Sequence, residues 1–251
     1  KKLENEIVHF KSVRFSDGDQ YDEIIKKIDS IRQYPEKKKE LEQNYGRITI
    51  EEYNKQLKLF DEAGKYEIKN QKIQIKYLAN HYYLPLIVSE TEKVDYINHI
   101  INVKSEIRFI EQLQEYLDKP NNVFTQFDWW MFSKLDQTLD EVSIPYYNSN
   151  RNKITNFKPD FIFWVQKDKR YLILFIDPKG TEYTDADRKI EGFSSIFEID
   201  QPKKCKDFSY NGFTVNIKLL LKTDSIAKVP KSFKRYWFDN FNDFENKIML
   251  S

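Results

Sequence analysis

Residues 157–180, FKPDFIFWVQKDKRYLILFIDPKG, constrain the fold more than any other stretch. Two apolar runs, Phe161–Val165 and Tyr171–Ile176, flank the polar segment Gln166–Arg170. Short runs rich in aromatic and β-branched residues on either side of a polar turn predict a β-hairpin of two buried strands. Asp160 opens the first strand, Asp177 closes the second, and Lys179 follows two residues later. Residues two apart share a strand face, so Asp177 and Lys179 should project together. Asp160 reaches the same spot from the neighbouring strand if the register is right. Two carboxylates and an ammonium at the mouth of a buried sheet are costly to desolvate. A metal-and-phosphate site explains that cost; so does a structural ion-pair set at a sheet end.

The elements around the hairpin follow from periodicity. Val94–Leu117 reads as helical, in two pieces meeting near Ser105. In the second piece Glu106, Ile110, Leu113 and Leu117 fall on one face, apolar except for the acid, while Glu111 points elsewhere. Glu106 needs a partner there, or it is a first-turn acid favoured by the helix dipole. Asn121–Leu139 concentrates Phe124, Phe127, Trp129, Trp130, Met131 and Phe132, which suits a packed core or a platform for stacked bases. Val142–Tyr147 suits a strand and Asn148–Asn152 a turn. After the hairpin, Asp185–Glu198 places Ile190, Phe193 and Phe197 at helical spacing. Phe213–Lys222 alternates as a strand, and Phe233–Met249 has helical spacing again. From Ser105 the order is helix, strand, strand, strand, helix, strand. That predicts an α/β (α+β) fold with a mixed central sheet and flanking helices.

Upstream, residues 1–72 form a highly charged segment read as a mainly helical extension. Ile7–Phe15 suits a short strand; Tyr21–Ile31, Lys37–Gln43 and Thr49–Phe60 suit helices. Ile73–Val88 is richer in aromatic and β-branched residues and suits strand or helix, broken at Pro85. A composition change at Glu67–Lys72 marks a boundary, giving a junction segment over 1–72 and a principal domain over 73–251.

The 251 residues carry 40% hydrophobic and 32% charged side chains and a net charge of +1. A substantial core is affordable, and any basic surface must be local. Cys205 is the one cysteine, so no intrachain disulfide or cysteine-built zinc site can form. That suits a reducing, cytoplasmic setting. The apolar runs are too short for a membrane-spanning helix, and no secretory signal is visible.

Pro159-Asp160 and Asp177-Pro178-Lys179 resemble the motif of the PD-(D/E)xK nuclease superfamily, with Asp as the second acid. Glu106 matches the acid that many members carry on the preceding helix. A narrower resemblance rests on NHYYLPL (Asn80–Leu86), INHIINVKSEIRFIEQL, IPYYN, FKPDFIFW and FIDPKGTEYTDADRKIEGF. These look like the C-terminal nuclease region of DEAD/DEAH-box helicases of type III restriction-enzyme character. The resemblance implies a restriction-endonuclease-like core and a metal-dependent endonuclease acting on DNA. It implies Mg²⁺, with Mn²⁺ able to substitute, held by Asp160, Asp177, Glu106 and the Pro178 carbonyl. Lys179 would orient the attacking water. A helicase motor in the same chain or complex, and a methyltransferase or specificity subunit, are the implied partners. No nucleotide-binding Gly-x4-Gly-Lys loop is present in these 251 residues.

Such a protein must also hold nucleic acid. Between Ile199 and Tyr236 nine Lys or Arg, Lys203 and Lys204 among them, outnumber three acids. Lys158 leads into the hairpin, and Tyr183, Asp187 and Lys189 lie just after the motif, where phosphate contacts are expected. A solvated surface gives the same charge pattern. His9, His81 and His99 show no metal-ligand spacing. The rival from a different class is a catalytically silent module that binds nucleic acid or docks a subunit.

Overall fold

A computed structural model describes residues 26, 37, 40, 41, 43, 44, 46–63, 65–68, 71–76, 86–89, 101, 103–135, 141–178, 185–199 and 204–248. The chain divides into two compact units, Lys1–Ile107 and Arg108–Ser251. The division falls inside a helix, well beyond the composition change at Glu67–Lys72.

In the first unit, helix α1 (Ile50–Ala63) starts on a capping residue. The Thr49 hydroxyl accepts the Glu52 N–H at 3.2 Å, the bond that a Thr three residues before a Glu is suited to make. Strands β1 (Lys65–Ile68), β2 (Gln71–Lys76) and β3 (Leu86–Ser89) form an antiparallel sheet in that order. The end of the 1–72 segment is therefore strand, not helix, and the ambiguous Ile73–Val88 stretch contributes strands at both ends. The strand expected at Ile7–Phe15 lies outside the described residues, as does nearly all of Tyr21–Ile31.

Helix α2 (Lys104–Leu117) opens the principal fold, and the expected helix upstream of residue 101 lies outside the described residues. Its buried side chains are Glu106, Phe109, Ile110, Leu113 and Tyr116, a stripe at helical spacing. There follow β4 (Trp129–Lys134), β5 (Ile144–Asn148), β6 (Lys153–Phe157), β7 (Phe161–Lys167) and β8 (Arg170–Pro178). Helix α3 (Ala186–Phe197) leads to the short strands β9 (Glu198–Ile199), β10 (Lys204–Cys205) and β11 (Phe208–Tyr210), and then to β12 (Phe213–Lys222). The chain ends in β13 (Trp237–Phe238) and α4 (Phe241–Ile248).

The central sheet runs β11-β12-β8-β7-β4, with β13 also on β12. It is mixed: β8 and β12 are parallel, whereas β7 is antiparallel to both β8 and β4. The protein is thus a mixed α/β fold with helices on the sheet. Two details differ from the sequence reading. The central-sheet strand before the hairpin is Trp129–Lys134, because β5 pairs with β6 in a separate two-stranded sheet. The C-terminal helix is confined to Phe241–Ile248, after a 3₁₀ segment and β13, because Tyr236, Trp237 and Phe238 are all buried at the sheet.

Both sheet faces are covered. On one, Phe161 and Phe163 meet Phe109 of α2, at 4.9 and 6.4 Å between ring centroids, and Phe109 stacks on Phe241 of α4. The Tyr116 hydroxyl ties these helices by donating to Glu245 at 3.1 Å, and burial with that carboxylate pushes its pKa up to about 12. On the other face Ile162, Phe175, Leu219 and Leu221 share one apolar cluster with Ile190 and Phe193 of α3. Gly192 lets α3 lie directly on β5: a Cβ there would sit 2.6 Å from the Pro145 carbonyl oxygen.

Candidate active site

The register of the hairpin decides where its acids point. In the β7–β8 ladder Phe161 faces Ile176, Ile162 faces Phe175, and the pairing continues to Lys167 and Arg170. One further step of the same register sets Asp160 opposite Asp177. The β4 ladder extends by the same step, since the Leu135 N–H donates to the Asp160 carbonyl at 2.8 Å. Cross-strand partners share a face, with Cβ atoms typically about 5 Å apart. By strand alternation Asp177 lies on the face of Phe175, the one covered by α3; Asp160 sits just before β7, where its carboxylate meets the Lys134 ammonium over the Phe161 ring. Asp160 is 6% exposed and Asp177 fully buried.

Other buried polar groups gather at the same end of the sheet. Lys134, the last residue of β4, places its ammonium 3.4 Å from Asp160 Oδ1 and 5.3 Å from the Phe161 ring centroid. Lys222, the last residue of β12, is 5% exposed and stands beside Pro178 in the parallel ladder. Its ammonium donates to Asp224 at 3.1 Å, and Asp224 also accepts from Arg108 at 2.6 Å. Ser133 and Thr223 are buried there too. Farther along β7 and β8 the buried positions are apolar, so the buried charge of these two strands lies at the end where β8 and β12 finish. Ligands of open α/β sheets bind at that end.

Sequence reasoning missed Lys134 and counted Lys222 only as one of the basic residues between Ile199 and Tyr236. A Lys closing a strand was the available signal, but which strand end it meets depends on pairing between distant segments. Among the expected residues, Asp160, Asp177 and Pro178 come together at adjoining strand ends. Glu106 is 6% exposed on the first turn of α2 and belongs to the first unit. Lys179, Tyr183 and Lys203 lie outside the described residues. Lys158 is half-buried. Lys189 sits on α3 with its ammonium 4.7 Å from the Phe157 ring centroid, a cation–π contact that gives it a packing role. Asp187 and Lys204 are exposed on α3 and β10. Phe124 and Phe132 belong to the core, whereas Trp129 is 42% exposed at the far end of the hairpin.

Among the described residues no three His, Cys, Asp or Glu side chains converge as metal ligands. Two adjoining carboxylates are nonetheless a hard-oxygen donor pair, and Mg²⁺ needs only one or two carboxylates besides water and substrate oxygens. The donor chemistry of Asp160 and Asp177 fits such an ion. Lys134 is the competing cation for Asp160.

Fold and site together define a mixed α/β protein with charged side chains collected at the carboxyl ends of its parallel strands. A model of the YagJ family matches residues 97–211, a little under half of the chain, taking in α2, the hairpin and α3. Nothing in that match points to a nuclease or a helicase. No curated protein and no solved structure matches the chain.

Proposed function

We propose that the protein is a metal-dependent endonuclease domain with a restriction-endonuclease-like core. It would hydrolyse DNA phosphodiester bonds in a restriction or defence enzyme that also contains a helicase motor. The observation that carries this reading is the register, which extended by one step sets Asp160 opposite Asp177 at adjoining strand ends, beside Pro178. Asp160, Asp177 and the Pro178 carbonyl would hold Mg²⁺ or Mn²⁺. When bound, the ion would supply Lewis-acid polarisation of the phosphoryl oxygen and a lower pKa for a water. The chain's own groups do the rest: the two rigid strand ends fix the carboxylates, and burial limits the reorganisation they undergo. Lys134 neutralises Asp160 before substrate arrives, while Lys179 follows Asp177 by the two residues that the motif requires.

The test is incubation of the full chain with duplex DNA and Mg²⁺ or Mn²⁺. Cleavage is expected for the wild type and not for Asp160→Asn or Asp177→Asn. Equal products from all three would remove the reading.

One observation favours a second reading. The Lys134–Asp160 ion pair satisfies an acid without any metal, as a catalytically silent domain that binds nucleic acid or docks a subunit would need. Calorimetric titration with Mg²⁺ separates the two: the silent domain retains DNA affinity and takes up no ion.

A further inference from the structure

The edge of β12 has a second feature, remote from the two aspartates. Strand β11 pairs with Phe213–Val215 and β13 with Leu221–Lys222. Between those pairings lies a cleft of about 640 Å³ that reaches from Arg170 and Thr214 to Leu220. Its Arg170 end lies roughly 23 Å along β8 from Asp177, counting about 3.3 Å per residue.

Five cationic side chains and two acidic ones line this cleft, and Lys247 is also paired with Asp243 at 3.4 Å, which leaves a surplus of two positive charges. The two acids are already engaged. Glu198 takes the Arg235 guanidinium, the Tyr236 hydroxyl at 2.6 Å and the Ser194 hydroxyl at 2.7 Å. Asp207 accepts from the Asn216 amide at 2.7 Å. Lys218 donates to the Lys247 carbonyl at 2.9 Å. Burial pushes the Lys218 pKa down, partly offset by Cys205, so this ammonium is poorly solvated and an added anion would stabilise it. Lys204 and Arg170 stand exposed at the rim.

We propose that this cleft is an anion site for a phosphate-bearing ligand larger than inorganic phosphate. Its volume falls in the range of small-molecule sites, and its clustered ammonium and guanidinium donors match the charge-assisted hydrogen bonds that phosphate oxygens accept. The inference stands apart from the nuclease reading, since none of its residues belongs to the acid pair.

The full chain is titrated calorimetrically with inorganic phosphate, tripolyphosphate, a short 5′-phosphorylated oligonucleotide and a Glu-rich peptide, at low and moderate salt. Tripolyphosphate or the oligonucleotide should bind more tightly than inorganic phosphate, and binding should weaken with salt. Whichever of the two binds identifies the source of the phosphate. Lys218→Met and Lys204→Glu should each weaken binding about tenfold. Lys204 is a surface residue, so its variant keeps the test valid if the Lys218 variant fails to fold. Asp177→Asn should bind as the wild type does, which separates this site from the acid pair. Binding indifferent to both lysine variants, equal affinity for the acidic peptide, or no binding of any phosphate probe would overturn the proposal.

Discussion

Asp177 is the residue on which structure and chemistry make opposite demands. A fully buried carboxylate costs folding free energy. Asp177→Asn keeps the shape and removes the charge. On the proposed nuclease reading, DNA cleavage should fall at least about a hundredfold while denaturant titration still shows a cooperative fold. Lys218 offers a pH test. Its folded pKa is depressed by burial, so the unfolded chain holds the proton more tightly. The penalty is fully present below the folded pKa and disappears as pH rises through the window up to the ordinary lysine value. Denaturation measured across that window should show the wild type gaining stability relative to Lys218→Met.

Among the elements, α3 and β5 are held at a separation that only Gly192 permits. Gly192→Ala would press a methyl group onto the Pro145 carbonyl and the Tyr146 Cβ, at 2.6 and 2.7 Å. A loss of about 1–3 kcal/mol in chemical denaturation is expected, because backbone on both sides must move. Much at this scale was legible from the residues. Strand Phe213–Lys222 has the bounds its alternation predicts, the hairpin closes where its polar segment falls, and Glu106 lies on the buried stripe of its helix. Strand Trp129–Lys134 was not legible, because WWMFSK is apolar on both faces and hides the two-residue period. KITNF, in β6, hides it the other way, with Phe157 its one buried side chain. The place of Lys134 and Lys222 at this end of the sheet was not legible because their neighbours come from segments far apart in sequence.

For the whole molecule, the sheet depends on helices that cover each face. Phe109, Ile110 and Leu113 of α2 are fully buried, and losing each would cost about 2–5 kcal/mol. That sum approaches the entire stability of an ordinary domain. A fragment beginning at Val103 should therefore melt in one cooperative transition, and one beginning at Asp118 should show none by calorimetry. Among the described residues no helix is long and apolar enough to cross a membrane.

The seven-pair ladder from Phe161–Ile176 to Lys167–Arg170 works as a ruler. Its zero mark is the reversal at Asp168 and Lys169, where Asp168 adopts φ 52° and its N–H is gripped by Asp128 at 2.7 Å. Lengthen that reversal by one residue and every mark on the ruler moves: Asp177 leaves Asp160 and a hydrophobic neighbour takes its place. The spacing of the two carboxylates is therefore gauged at the far tip of the hairpin, among residues that never approach them.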